Sequence, residues 1–284
     1  MNPDVAVVGF AQAPCRVRPD VTTSGVEMLV PIFAEVFAAT GLTKADIGFW
    51  CSGSSDYLAG RAFSFVQAVD AIGAVPPAME SHVEMDAAWA LYEAWVKILT
   101  GEAAASGNPA AQVSGEVFVS ELLARPYVAE PLRAHDCAPV GDGAAVVLLA
   151  CAARARELCA RPAWITGFAH QIDSASLGGR DLTAAPSAAA AGQAAGAGGV
   201  DVAELHAPFT HQELLLRGAL GLGDEARISP SGGALCGNPM FAAGLARIGL
   251  AAREVMAGRA GRALGHATSG PALQQNLVCV MEGR

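Results

Sequence analysis

The side chains best suited to chemistry lie in four short loops predicted near the end of the chain, at residues 204–210, 229–233, 237–239 and 265–271. Two of these segments carry the histidines His206 and His266. An ordinary imidazole titrates near neutral pH, so His266 can serve as a proton carrier. Asn238 can donate a neutral, pH-independent hydrogen bond to an oxygen that becomes negatively charged. The structural alternative for each histidine is a ring bonded to the backbone of its loop.

Two carboxylates, Glu84 and Asp86, lie where a helix predicted over residues 85–99 begins. A carboxyl group whose pKa is raised by burial can move protons or orient water. Carboxylates at this end of a helix also cap it and complement its dipole. Both roles remain open at the level of sequence. The other four histidines are interpreted as structural or surface residues: His82, His135, His170 and His211.

Apolar periodicity indicates strands alternating with helices along the chain. Strands are predicted at residues 5–10, at a segment ending at residue 51, and at 146–150, 163–168, 200–205 and 277–281. Helices are predicted at residues 24–40, 60–72, 85–99, 212–220 and 241–256. The Ala/Gly-rich stretch 184–199 is interpreted as a close-packed helix, with a mobile loop as the alternative.

The composition is that of a globular protein with a substantial core, since 52% of its 284 residues are hydrophobic. The 18 Lys and Arg against 27 Asp and Glu give a net charge of -9, which argues against a nucleic-acid partner. No stretch is long and apolar enough for a membrane span, and no secretory signal is predicted. We therefore expect a cytoplasmic protein.

The seven cysteines are scattered, odd in number and free of Cys-x-x-Cys pairs. This pattern suits a reducing compartment and predicts no zinc site. Most of these thiols are expected to pack as small buried hydrophobes.

The order and spacing of the four segments resemble the thiolase superfamily, and more narrowly its lipid-transfer-protein branch, which includes thiolase-like steroid side-chain aldolases. The most specific matches are residues 136–145, the His-x-x-Phe-Thr motif that begins at His206, and the Ser-Pro-Ser-Gly-Gly motif at 229–233. The resemblance implies an α/β fold with duplicated βαβαβ halves in a layered α-β-α-β-α arrangement. The halves would be residues 1–160 and 161–284.

The resemblance also assigns site residues. Thiolases attack the acyl thioester with a cysteine at the N-terminus of a buried helix, and Glu84 takes that position here, or Asp86 if the alignment shifts by two. Asn238 replaces the histidine of the family's Gly-His-Pro loop. His206 stands where the family polarises the thioester oxygen, and His266 lies in the loop that otherwise carries a second cysteine.

The loop of Ser231, Gly232 and Gly233 is expected to bind the coenzyme A part of the substrate, with no covalently bound cofactor. A short join at residues 103–108 stands where thiolases carry a further strand and a lid. Either the protein lacks that lid or the given sequence omits a segment. The resemblance further implies a homodimer and a small partner protein with an OB-fold and a zinc ribbon.

Three functions follow as hypotheses. The first is a carbon-carbon lyase, a retro-aldolase acting on acyl-CoA thioesters in lipid or steroid side-chain degradation. In it His206 and Asn238 hold the thioester oxygen, while Glu84 or Asp86 removes the β-hydroxyl proton together with His266. The second is a non-catalytic acyl-CoA-binding or scaffolding protein. The third is an atypical acyltransferase that uses Cys137 or Cys236.

Overall fold

The computed structural model describes residues 4–17, 24–56, 64–99, 122 and 124–284. These residues form the strands β1 (Val5–Gln12), β2 (Arg16–Val17), β3 (Phe49–Gly53), β4 (Met79–Val83), β5 (Tyr127–Ala129), β6 (Leu132–Arg133), β7 (Val140–Asp142), β8 (Ala145–Cys151), β9 (Ala163–Ile172), β10 (Val202–Glu204), β11 (Arg227–Ile228), β12 (Asn238–Pro239), β13 (Arg262–Ser269) and β14 (Gln275–Gly283).

The helices in the same residues are α1 (Gly25–Thr40), α2 (Val66–Ile72), α3 (Ala87–Leu99), α4 (Ala152–Leu158), α5 (Pro186–Ala195), α6 (Thr210–Ala219), α7 (Gly233–Cys236) and α8 (Ala243–Met256). Short 3-10 turns occupy Lys44–Asp46, Ala134–Asp136 and Leu177–Gly179. Within this part of the chain, no helix has the length and apolar character that a membrane crossing requires.

A mixed sheet of seven strands forms the centre of the molecule, in the order β11-β10-β13-β14-β9-β1-β8. Its two halves join where β1 pairs antiparallel with β9, through Ala6 opposite Trp164 and Val7 opposite Ala163. A separate parallel pair is formed by β3 and β4, and a three-stranded sheet by β12, β7 and β2. Strands from residues 1–160 and 161–284 therefore share one sheet.

Helices cover both faces of the central sheet. Alternate side chains of β14 show this, because Leu277 and Cys279 belong to the apolar cluster that contains α3 and α8, whereas Val278 and Val280 belong to the cluster of α5 and α6. On the β1–β8 side, the second face packs against α1. The smaller β3–β4 sheet lies against α3. The predicted layered α/β fold is confirmed.

Local sequence explains where the helices begin and end. Ser24 and Glu27 form a reciprocal capping box at the start of α1, and Gly41 ends this helix in the left-handed conformation. The stretch predicted as a close-packed helix contains α5. A Cβ added to Gly167 of β9 would lie 1.9 Å from the carbonyl oxygen of Ala195 in this helix, so glycine is required there.

One predicted loop is wrong. Residues 265–271, interpreted as a loop through the thiolase resemblance, overlap the central strand β13. A Cβ on Gly265 would lie 2.5 Å from the Cα of Ile248, so this strand needs glycine to lie against α8. Residues 103–108, the site of the predicted lid deletion, lie outside the described residues, as does the start of the helix predicted at 60–72.

Candidate functional site

The ends of two sheet elements bring His206 and Asn238 together. His206 follows β10 by two residues, and Asn238 begins β12, which is held beside Val140 of β7. His206 Nε2 lies 3.1 Å from Asn238 Oδ1, and both residues are more than nine-tenths buried. The sequence placed these residues in separate loops, and the structure makes them a hydrogen-bonded pair.

The contact made by Nδ1 of the His206 ring determines which atom donates in the bond to Asn238. The backbone N–H of Thr268 donates to His206 Nδ1 over 3.4 Å, so Nδ1 carries the lone pair and Nε2 carries the proton. Nε2–H therefore donates to Asn238 Oδ1. The Asn238 amide NH2 makes no hydrogen bond to any other described residue.

The pair is electrically neutral. Burial lowers the pKa of His206 to about 4, the positive charge of Arg247 acts in the same direction, and the bond to Asn238 opposes them. A neighbouring thiol is also uncharged, because burial raises the pKa of Cys15 to about 12 while the backbone of Asn238 hydrogen-bonds to it. This region can donate hydrogen bonds, but neither group carries charge near neutral pH.

His266 belongs to the packed interior. It is fully buried on β13, and its Nε2 lies 2.9 Å from Asn276 Oδ1. Burial lowers the pKa of His266 to about 3. The expectation that it titrates near neutrality is wrong, because the sequence did not reveal that its segment is a central strand.

Asp86 caps two helices at once. Its Oδ1 accepts from the backbone N–H groups of Ala88 in α3 and Leu245 in α8, at 2.9 and 3.1 Å, and its Oδ2 accepts from Gly244 at 2.8 Å. Burial raises the pKa of Asp86, and these three donors oppose that rise. Of the two roles left open for Asp86, the structure shows the capping one.

The start of α3, next to Asp86, also binds the segment that follows Asn238. Ala87 N–H donates to the carbonyl oxygen of Phe241 over 2.7 Å. Phe241 has a φ of 66°, an uncommon conformation for a bulky residue, which the surrounding contacts must maintain. A Cβ on Gly244 would lie 2.4 Å from Ala267 Cβ and 2.8 Å from Asp86 Oδ1, so a side chain is excluded there.

Glu204 and Arg247 form a buried ion pair, in which Arg247 Nη1 lies 3.4 Å from Glu204 Oε2. Ser231 Oγ donates to Glu204 Oε2 over 2.6 Å and accepts from Arg247 Nη1 over 2.8 Å, while its backbone N–H donates to Glu204 Oε1 over 3.0 Å. Gly232 and Gly233 follow with φ values of 90° and 62°, which favour glycine. The loop predicted to bind coenzyme A is thus tied internally to this ion pair.

The architecture matches solved thiolase structures. Human mitochondrial 3-ketoacyl-CoA thiolase superposes with a TM-score of 0.79 over 99% of this chain and 99% of that chain, at 14% identity. A structure described as the Ltp2-ChsH2(DUF35) aldolase gives the same TM-score, over 100% of this chain and 99% of that chain, also at 14% identity. The protein has the thiolase fold.

Curated relatives agree with this thiolase fold. Acetyl-CoA acetyltransferase of Methanothermobacter thermautotrophicus is 32% identical over 168 residues, 50% of this chain and 44% of that protein. Benzoylsuccinyl-CoA thiolase subunit BbsB of Thauera aromatica is 26% identical over 250 residues, 76% of this chain and 65% of that protein. The matches therefore span less than two thirds of each relative. No protein-family model matches the chain.

The side chain of Glu84 is 52% exposed, whereas the other predicted catalytic residues are buried: Asp86, His206, Asn238 and His266. Its Oε1 accepts from the backbone N–H of Asp56 over 2.7 Å, and its Oε2 lies 3.4 Å from His82 Nε2. It makes no hydrogen bond to His206 or Asn238. The described contacts of Glu84 are therefore with Asp56 and His82 rather than with the pair.

The cysteines suggested for acyl transfer have local contacts. Cys137 Sγ donates to the backbone oxygen of Arg133 over 3.5 Å. Cys236 Sγ lies against Gly232, where an added Cβ would come within 2.4 Å of it. Within residues that the structure describes, no three His, Cys, Asp or Glu side chains are grouped as metal ligands would be.

Sequence reasoning missed Arg247 and the double cap of Asp86. Arg247 lies on the predicted helix 241–256, and an Arg flanked by Leu245, Ala246, Ile248 and Gly249 is the available signal that a buried charge needs a partner there. Asp86 and Gly244 are 158 residues apart, and nothing local in the sequence connects them.

Proposed function

We propose that this protein binds acyl-CoA thioesters and cleaves a carbon-carbon bond by a retro-aldol reaction. The observation that carries the proposal is the neutral His206–Asn238 pair, in which the amide NH2 is oriented by the imidazole and donates to no described residue. Such a preorganised donor stabilises a thioester oxygen as it gains charge in the enolate. The aldolase among the structural neighbours supports a lyase.

In this mechanism water takes the β-hydroxyl proton, the bond between the α and β carbons breaks, and its electron pair passes into the thioester enolate, whose α carbon then takes a proton back from water. The products are a ketone or aldehyde and an acyl-CoA shortened at the α carbon. Asn238 donates to the enolate oxygen, and His206 holds the amide in place. Asp86 and His266 are occupied by structural hydrogen bonds, so the proposal gives them no proton-transfer step.

The test is incubation of the purified protein with β-hydroxyacyl-CoA, following the ketone or aldehyde and the shortened acyl-CoA. Product that is lost in Asn238→Ala and His206→Ala supports the proposal. His211→Ala is the matched control, because its ring stacks on Phe209 rather than joining the pair. Wild-type protein that gives no product from several chain lengths contradicts it.

A non-catalytic acyl-CoA-binding or scaffolding role is the second candidate. The buried, hydrogen-bonded states of Asp86 and His266 favour it, because two of the groups predicted for proton transfer are already used in holding the fold. Retained binding of acyl-CoA without turnover, measured by calorimetry, would support this role over the lyase.

We further propose assembly into a homodimer with a small OB-fold and zinc-ribbon partner. The solved aldolase neighbour is described as the Ltp2-ChsH2(DUF35) aldolase, which supports a partner protein.

For the dimer, β4 pairs with β3 alone among the described strands, and Met79 on β4 is 54% exposed. An edge of this kind can accept a second strand. Light scattering of wild type and Met79→Lys tests the contact, which the lysine should weaken.

A further inference from the structure

Three polar side chains outside the His206–Asn238 pair form a continuous hydrogen-bonded chain on the β3–β4 sheet. Ser52 and His82 are register partners on these parallel strands. Ser52 Oγ lies 3.0 Å from His82 Nδ1, and His82 Nε2 lies 3.4 Å from Glu84 Oε2. A hydroxyl, an imidazole and a carboxylate thus follow one another in the order that activates a nucleophile.

The proton positions suit the same role. The Glu84 carboxylate accepts at Oε2, which places the imidazole proton on Nε2. His82 Nδ1 is then free to accept the Ser52 hydroxyl proton. Glu84 is itself fixed by the backbone N–H of Asp56, and the ring of Phe65 lies 5.1 Å from the His82 ring. The imidazole is therefore oriented by a carboxylate at one edge and an aromatic ring at its face.

Ser52 also lies next to the start of a buried helix. The following residue, Gly53, lies so close to Ala87 at the beginning of α3 that an added Cβ would be 2.5 Å from the Ala87 Cα. Unlike Asp86, which is 3% exposed, the group reaches solvent: the side chains of His82 and Glu84 are 21% and 52% exposed. Ser52 itself is partly buried, so the relay lies between the core and the surface.

We propose that Ser52, His82 and Glu84 are a serine nucleophile relay that hydrolyses acyl thioesters. The choice of thioester as substrate rests on the proposed function. Ser52 Oγ attacks the thioester carbonyl as His82 Nδ1 takes its proton. The carbon-sulfur bond then breaks, and His82 returns the proton to the leaving thiolate. His82 then takes a proton from a water that attacks the acyl-serine carbonyl, the bond between that carbon and Ser52 Oγ breaks, and His82 returns the proton to Oγ. The net reaction converts thioester and water into carboxylic acid and thiol.

A fluorophosphonate probe tests the relay without any assumption about the acyl group. We expect the probe to label Ser52, as located by peptide mass spectrometry, and the labelling rate to fall on the order of 100-fold in His82→Ala because the general base is lost. Ser54→Ala is the matched control: its hydroxyl pairs with Ser64 Oγ at 2.6 Å rather than with an imidazole. Its labelling should equal that of wild type.

Absence of label on Ser52, or labelling that is unchanged in His82→Ala, would overturn the relay. Glu84→Gln provides a second variant in case His82→Ala does not fold, and it should slow labelling about tenfold by removing the charge that orients the ring. An unchanged rate there also contradicts the proposal.

Products distinguish this proposal from the retro-aldol reaction. Hydrolysis through Ser52 releases a carboxylic acid of full chain length and should be lost in Ser52→Ala. Carbon-carbon cleavage releases a shortened acyl-CoA and should be lost in Asn238→Ala. If no lyase product forms while Ser52 is labelled in a His82-dependent way, the lyase proposal fails and the relay stands.

Discussion

Two histidine–asparagine pairs in the described part of the chain have the same atoms in contact, but their amide hydrogens have different partners. His206 Nε2 lies 3.1 Å from Asn238 Oδ1, and His266 Nε2 lies 2.9 Å from Asn276 Oδ1. The Asn276 amide donates its hydrogens to Ser187 Oγ and to the backbone oxygen of Leu273. The Asn238 amide donates to no described residue.

This difference separates a binding group from a structural one. The Asn276 pair is closed, because every hydrogen of the amide already has an acceptor in the protein. The Asn238 pair is open, because its amide hydrogens have no acceptor among the described residues. The two pairs have the same residue types, so residue type does not distinguish them. The acceptors of the asparagine amide hydrogens distinguish them.

Substitution of Asn238, in the open pair, should have the largest effect of the changes considered. Asn238→Ala should lower the rate of carbon-carbon cleavage on the order of 100-fold, since the oxyanion donor is lost. The urea midpoint should fall, but by less than in Asn276→Ala, because the His206 Nε2–H is the one described group that loses its partner. Turnover and denaturation measured on one preparation check both statements. A variant with wild-type turnover would end the assignment of Asn238 as the oxygen-binding residue.

Removal of the closed pair should act on stability. Asn276→Ala leaves His266 Nε2–H and the oxygens of Ser187 and Leu273 without their buried partner, which we expect to lower the free energy of unfolding by about 3 kcal/mol. Urea denaturation measures it. Comparable losses of stability from Asn238→Ala and Asn276→Ala would erase the distinction between the pairs.

Acid should destabilise the fold through both imidazoles. The pKa values of His206 and His266 are lowered to about 4 and about 3, so the unfolded chain binds more protons below pH 6.5. Stability should therefore fall as pH decreases from 6.5, by about 1.4 kcal/mol per pH unit for each ring. His266→Gln should reduce the slope between pH 6 and 4.5 by that amount.

The smallest effect is expected from Ser187→Ala. This change removes one acceptor of the Asn276 amide and also the hydroxyl that donates to Asp173 over 2.6 Å. We expect a loss of about 1 kcal/mol in stability with no change in turnover. A changed cleavage rate would indicate that the closed pair also influences the site.

The order of elements could be predicted from the sequence because apolar periodicity is a local property. The helix that became α8 and the strand around Val278 were identified in this way. His206 and Asn238 were recognised through motifs, although their mutual contact was not. The chain segments that carry them are 32 residues apart, and only the folded sheet aligns them.

Where prediction failed, long-range packing decided the outcome. The segment around His266 was interpreted as a loop, whereas Gly265 permits β13 to lie against α8. Ser52 was not predicted as a functional residue, because a serine in a strand has no distinctive local pattern. Its interest depends on parallel pairing with His82, and His82 was interpreted as a structural or surface residue.

The double cap by Asp86 makes the two sequence halves dependent on each other. Residues 161–284 expressed alone would carry Gly244 and Leu245 at the start of a buried helix without the carboxylate that receives their N–H groups. They would also leave Ala163 and Trp164 without their neighbouring strand. The chain is therefore suited to fragment complementation: the two pieces, each incompletely folded, should regain cooperative unfolding when mixed.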